Sequence, residues 1–122
     1  MKVLADTSAL IEFMRGNERA KSFITGAEKV YVSSLSLYEI LVGRTPREEI
    51  LGLVSSLDGV LPLTGRDGVI ASSIYRKLKS EGKLIGSIDI LIASQALTRK
   101  LTVLTKDKDF QNVKDVRVVL IE

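Results

Sequence analysis

The chain has 122 residues, 45% of them hydrophobic and 27% charged, a balance that sets the expectation of one soluble domain, residues 1–122, around a single core. It contains no cysteine and no histidine, which excludes disulfides, thiolate nucleophiles, imidazole bases and Cys- or His-ligated zinc, and with them a Ser-His-Asp hydrolase or a His-dependent ribonuclease built from this chain alone. Oxygen ligands remain, which suit magnesium or manganese, and the net charge of +3 tolerates a polyanionic partner without announcing one.

Lys2 to Ala5 is a short apolar run bounded by Asp6-Thr7-Ser8, which predicts a buried strand feeding a helix over Ala9 to Arg15. Asp6 cuts that run short and no small-residue cleavage site follows, so a signal peptide is not expected. No apolar stretch approaches the roughly 20 residues that span a bilayer, and the expectation is a cytoplasmic protein with no membrane partner. Glu18 to Ala27 predicts a second helix, with Ala20, Phe23, Ile24 and Ala27 at helical spacing, and Val30 to Val32 a strand. Ser36-Leu37-Tyr38-Glu39 has the pattern of a capping box and predicts a helix ending near Gly43. Thr45-Pro46-Arg47-Glu48 combines an N-cap, a proline at the first helical position and an acid at the third, predicting a helix from Pro46 to about Leu57.

Val60 to Leu63 reads as a short strand, and Thr64-Gly65-Arg66-Asp67 caps a helix running to Gly82 with Val69, Ile70, Ser73, Ile74, Lys77 and Leu78 on one side. Its basic end, Arg76, Lys77, Lys79 and Lys83, reads as a solvated face. Ser87 to Lys100 predicts a helix with the apolar set Ile88, Leu91, Ile92 and Ala96, and Leu101 to Thr105 a strongly apolar strand. Asp109-Phe110-Gln111 predicts one helical turn, and Val116 to Ile121 a final strand. Phe13, Phe23 and Tyr75 are read as core packing rather than as a dimer contact.

Strands alternate with helices throughout, so the expected architecture is α/β: a central parallel sheet of five short strands, covered on both faces by about six helices through right-handed crossovers. Ligands of such sheets sit beyond the carboxyl ends of the strands, where the strand order reverses. Asp6 and Asp107 both lie just past predicted strand ends.

Each acid has a local explanation. Asp6 fits an Asx-turn or a helix cap, Glu39 the reciprocal member of the box with Ser36, Asp89 the first turn of a helix, and Asp107 the cap of the turn around Phe110. Glu39 and Asp89, however, interrupt the apolar runs Leu37 to Val42 and Ile88 to Ile92, where a carboxylate is expensive unless bonded or paired. If these helices bring their acids to Asp6 and Asp107, four like charges raise one another's pKa until a divalent cation neutralises them.

Four segments, VLADTSALIEF, SSLSLYEILVG, IDILIASQAL and LTVLTKDKDF, stand in an order that resembles the PIN-domain family over essentially the full length, most closely the VapC-type toxins of bacterial and archaeal toxin-antitoxin pairs. The resemblance implies a three-layer α/β/α sandwich whose acids bind Mg2+ or Mn2+ and cut RNA. Asp6, Glu39 and Asp89 match its first three acids. The fourth is Asp107 or Asp109, with Asp107 preferred because it lies closer to the strand end. Thr7 and Ser8 are read as hydrogen-bonding Asp6, and Thr105 as the small hydroxyl residue before the fourth acid. The implied chemistry is hydrolysis of a phosphodiester with Asp6, Asp89 and Asp107 as main ligands and Glu39 completing the shell or orienting water, and Arg44, Lys106 and Lys108 as candidate phosphate contacts. The implied partners are an RNA substrate, a small cognate antitoxin protein and a second copy of the chain. The alternative is a PIN-like module that binds RNA or protein without cutting. A receiver-like phosphoacceptor needs an acidic pair where Asp6 stands alone, and a dehalogenase-like phosphatase needs a second Asp where Ser8 stands.

Overall fold

A computed structural model describes residues 1–121. Its strands are β1 (Lys2–Ala5), β2 (Lys29–Ser33), β3 (Gly59–Leu61), β4 (Thr102–Thr105) and β5 (Val118–Leu120). Its helices are α1 (Thr7–Met14), α2 (Glu18–Gly26), α3 (Ser34–Leu41), α4 (Arg47–Ser56), α5 (Gly65–Ser80) and α6 (Ser87–Arg99), with a 3-10 turn over Lys108–Asn112. All neighbouring strands are parallel, in the order β3-β2-β1-β4-β5. Among the described residues no helix is long and apolar enough to cross a membrane.

Side chains of a strand alternate between the sheet's faces, and here the alternation sorts the helices into two layers. Val3, Ala5, Val30, Val32 and Leu104 pack in one apolar cluster with residues of α1 to α4, including Leu10, Ile24, Ile40 and Ile50. Leu4 and Val103 point the other way, into a cluster with Ile74 and Leu78 of α5 and Ile90, Ile92 and Ala96 of α6. The expected α/β/α sandwich is the observed one.

This layering fixes where a site can form. The chain steps from β1 to β2 to β3 with α1 to α4 on one face, then crosses the other face through α5 and α6 to reach β4 on the far side of β1. Strand order therefore reverses between β1 and β4, and a crevice opens beyond their carboxyl ends. The residues emerging there are Asp6 and Asp107.

Several local expectations change. α3 starts at Ser34, capped by the Ser33 hydroxyl on the Leu35 N–H, so Ser36 lies buried inside the helix and the box with Glu39 does not form. Helix α4 begins at Arg47 with Pro46 at its cap position and no side-chain cap bond, so Thr45 does not serve. Val69, placed on the inner side of α5, is 67% exposed. Phe13 and Phe23 pack against the core as expected, whereas Tyr75 is exposed with Lys79 over its ring.

The Thr64 box is present in full, and Asp67 does more than complete it. Asp67 is completely buried and takes both nitrogens of the Arg99 guanidinium, at 2.9 and 3.1 Å, together with the Thr98 hydroxyl at 2.7 Å and the Thr64 N–H at 2.9 Å. Burial alone would raise its pKa, but Arg99, the Thr64 N–H, Thr98 and the Thr64 hydroxyl outweigh it and hold the carboxyl well below the usual range. Arg99 also donates to the carbonyls of Gln95 and Pro62, so one ion pair ties the start of α5 and the exit of β3 to α6, the helix that carries Asp89.

Candidate metal centre

Asp6 follows β1 directly and is the one deeply buried member of the acid set. Its Oδ1 accepts from the Ala9 N–H at 2.9 Å, the expected cap of α1, and from the Ser8 hydroxyl at 2.7 Å. Its Oδ2 accepts from the Thr105 hydroxyl at the end of β4. That hydroxyl in turn accepts from the Asp107 N–H at 2.9 Å, and the Ser8 hydroxyl accepts from the Lys106 N–H at 2.9 Å. The turns leaving β1 and β4 are thus stitched across the crevice through Asp6, and Ser8 and Thr105 set the direction of its carboxylate.

Glu39 reaches the same place from α3. Its Oε1 accepts from the Thr7 hydroxyl at 2.9 Å, so Thr7 holds Glu39 and not Asp6. Successive residues of a helix point about 100° apart, which sends Thr7 toward α3 while Ser8 stays over the strand ends. Asp89 lies in the first turn of α6, on the opposite face of the sheet. Asp107 caps the 3-10 turn, its Oδ1 accepting from the Asp109 N–H at 2.9 Å. Glu39, Asp89 and Asp107 are only half-buried, and Asp109 is exposed.

Asp6, Glu39, Asp89 and Asp107 line one cavity of about 260 Å³ together with Thr7, Ser8, Ile11 and Ile92, and no lysine or arginine lines it. Asp109 does not reach that cavity. Volume alone would not have found the place, because a concavity of about 690 Å³ lies around Lys2, Lys100 and Arg117, at the opposite ends of the strands.

The electrostatics of the acids reflect their convergence. Asp89 is pushed up to about 6, first by burial and then by the charges of Asp107, Asp6, Glu39 and Asp109. The pKa of Asp6 is raised by burial, opposed by the bonds from Thr105, Ala9 and Ser8, with the Asp107 charge adding to the rise. Carboxylates from four separate segments therefore repel one another at the reversal point of the sheet, with no protein cation among them. Among the described residues no three acids stand at metal-ligand spacing, and both oxygens of Asp6 are engaged by protein donors. The donor chemistry fits a hard divalent cation held by a few carboxylates and completed by water, the habit of magnesium at a solvent-facing rim.

The three basic candidates separate. Lys106 is committed to Glu12, 2.8 Å away, a partner that sequence reasoning missed because it lies on α1. Lys108 and Arg44 are exposed.

Comparison with known proteins gives concordant results. The family model described as the PIN domain matches residues 3–116. Ribonuclease VapC3 of Methanocaldococcus jannaschii is 33% identical over 94 residues, which is 77% of this chain and 97% of that protein. Ribonuclease VapC of Rickettsia bellii is 29% identical over 131 aligned positions, spanning 99% of this chain and 97% of that protein. Among solved structures, VapBC2 of Rickettsia felis bound to a DNA fragment from its promoter has a TM-score of 0.85 over 100% of both chains at 18% identity, a likeness of fold.

Proposed function

The chain belongs to the PIN-domain family, and from that premise we propose that it is a metal-dependent endoribonuclease of the VapC type, the toxin half of a toxin-antitoxin pair, acting as one unit over residues 1–122. The observation that carries the reading is the meeting of Asp6, Glu39, Asp89 and Asp107 in one cavity, in a chain with no imidazole to do the chemistry otherwise. On this reading its partners are an RNA substrate, a small cognate antitoxin and a second copy of the chain, and it works in the cytoplasm.

A bound Mg2+ or Mn2+ supplies Lewis-acid polarisation of the phosphoryl oxygen and lowers the pKa of water. Asp6, Asp89 and Asp107 are the residues that would hold it. Ser8, Thr105 and the Ala9 N–H keep the buried Asp6 carboxyl aimed and favour its charged form. Glu39, held by the Thr7 hydroxyl, would complete the shell or orient the attacking water. Asp109 acts on Asp89 only through its charge, so Asp107 takes the fourth position in this scheme.

The test is cleavage of RNA by the purified chain, abolished by a chelator and restored by Mg2+ or Mn2+. Because burial and the neighbouring carboxylates push Asp89 up to about 6, cation binding below that pH must displace its proton. Calorimetry with manganese is expected to show affinity falling by up to about tenfold per pH unit below 6 and flattening above it. An affinity that does not change from about pH 5 to 7.5 contradicts the assignment of Asp89. Metal binding with no cleavage of any RNA returns the non-cutting module instead.

A further inference from the structure

A second concavity, of about 360 Å³, opens beside the acid cavity and shares Thr7, Ile11 and Glu39 with it, so the two hollows adjoin. Thr7, Ile11 and Arg15 are spaced by four along α1 and its end, which makes one strip of helix surface run from the acids to the Arg15 guanidinium. Arg44, from the link between α3 and α4, stands on the same groove, and Ile11, Met14 and Ile40 give it an apolar wall. Both arginines are exposed, and among the described residues neither joins an ion pair.

Resting on the ribonuclease reading, we propose that this groove holds the unpaired RNA strand on one side of the scissile phosphate, with Arg15 and Arg44 on its phosphates and a base against Ile11 and Met14. A polyanion approaching four carboxylates is repelled by them, so it must be retained by cations within a few residues' reach of the cut. Lys106, nearer in sequence, is neutralised by Glu12. Lys108 is also exposed beside Asp107, but it stands on a turn between two acids, whereas the groove sets two guanidiniums against the single further acid Glu49 on its wall. Guanidinium forks match phosphate oxygens, and an apolar wall suits a base whose face is bare, which a single strand offers and a duplex does not.

The experiment is steady-state cleavage of a single-stranded RNA by the full chain with Mg2+, across a range of salt, for Arg15→Gln, Arg44→Gln and the double variant. Each single change is expected to raise KM severalfold with kcat within about twofold, and to make the slope of log(kcat/KM) against log salt less negative by about 0.7, or about 1.4 for the pair. Arg15→Lys and Arg44→Lys are expected to keep the slope, and Arg76→Gln on the exposed side of α5 to leave both quantities unchanged. Should the double variant be unstable, the single changes carry the test, since both side chains are exposed. Unchanged KM and salt slope in variants that still cleave overturn the groove assignment and leave the nuclease reading intact. The same result together with lost antitoxin binding assigns the groove to a protein. A wild-type chain that cleaves no RNA with metal present overturns the nuclease reading and the groove with it.

Discussion

Asp6→Asn is expected to lower RNA cleavage by about 10³-fold while leaving the chain at least as stable as the parent. The two halves of that expectation come from one observation. Burial raises the pKa of Asp6, so the folded protein holds its ionised carboxyl at a cost, and the contribution of this group to stability declines as pH rises from its unfolded pKa through the higher folded one. A neutral side chain of the same shape removes that cost. Asparagine is as good a cap as aspartate, its carbonyl can keep the bonds from the Ala9 N–H and Ser8, and its amide nitrogen donates to the Thr105 hydroxyl where the lost oxygen accepted from it. What it cannot supply is the charge that a divalent cation needs. Paired measurements of cleavage rate and thermal midpoint check both halves; cleavage undiminished in a folded Asp6→Asn protein removes Asp6 from the site.

The second large effect is on stability, away from the acids. Arg99→Ala is expected to cost about 3–5 kcal/mol at neutral pH, measured by urea unfolding, because it strands a completely buried carboxylate. The Arg99 side chain is itself 24% exposed, which moves the expectation toward the lower end. The pH dependence gives the mechanism away. In the parent, the folded pKa of Asp67 lies below its unfolded value, so its stabilisation is present above the unfolded pKa, near 4, and is lost as pH falls toward the folded one. Without Arg99 the guanidinium no longer opposes burial, and the folded pKa of Asp67 moves up. The variant's deficit should then shrink as pH falls from neutral toward about 3, as the stranded carboxyl takes up a proton. A deficit that is the same at pH 7 and at about pH 3 would point to lost packing rather than to a stranded charge.

What the sequence allowed, and what it withheld, follows the range of each interaction. Asp6 and Asp107 were legible as rim residues because a strand followed by an acid is a local pattern, and the alternation of strands and helices places all parallel strand ends on one side. Glu39 and Asp89 were not placed by such reasoning, because α3 and α6 cover opposite faces of the sheet and meet only at its end; the family resemblance supplied that step. The Ser36–Glu39 box matched its pattern and still failed. The start of α3 depends on where β2 stops, and that is set by the register of Ser33 against Leu61 of β3, a tertiary fact. Asp67 was read correctly as a cap, but its guanidinium partner lies 32 residues away. Lys106 looked free because Glu12 is 94 residues distant. Of the four acids only Asp6 is deeply buried, and at Asp89 the cost of charge comes from partial burial and then from the neighbouring carboxylates.

The central claim is that these carboxylates form one cation site, and a crystal soaked in manganese and measured at the metal's absorption edge tests it most directly. The account predicts an anomalous peak inside the cavity bounded by Asp6, Glu39, Asp89 and Asp107, with the peak absent from crystals of Asp6→Asn. Manganese bound elsewhere on the chain, or four carboxylates that remain separate caps at saturating metal, would contradict it.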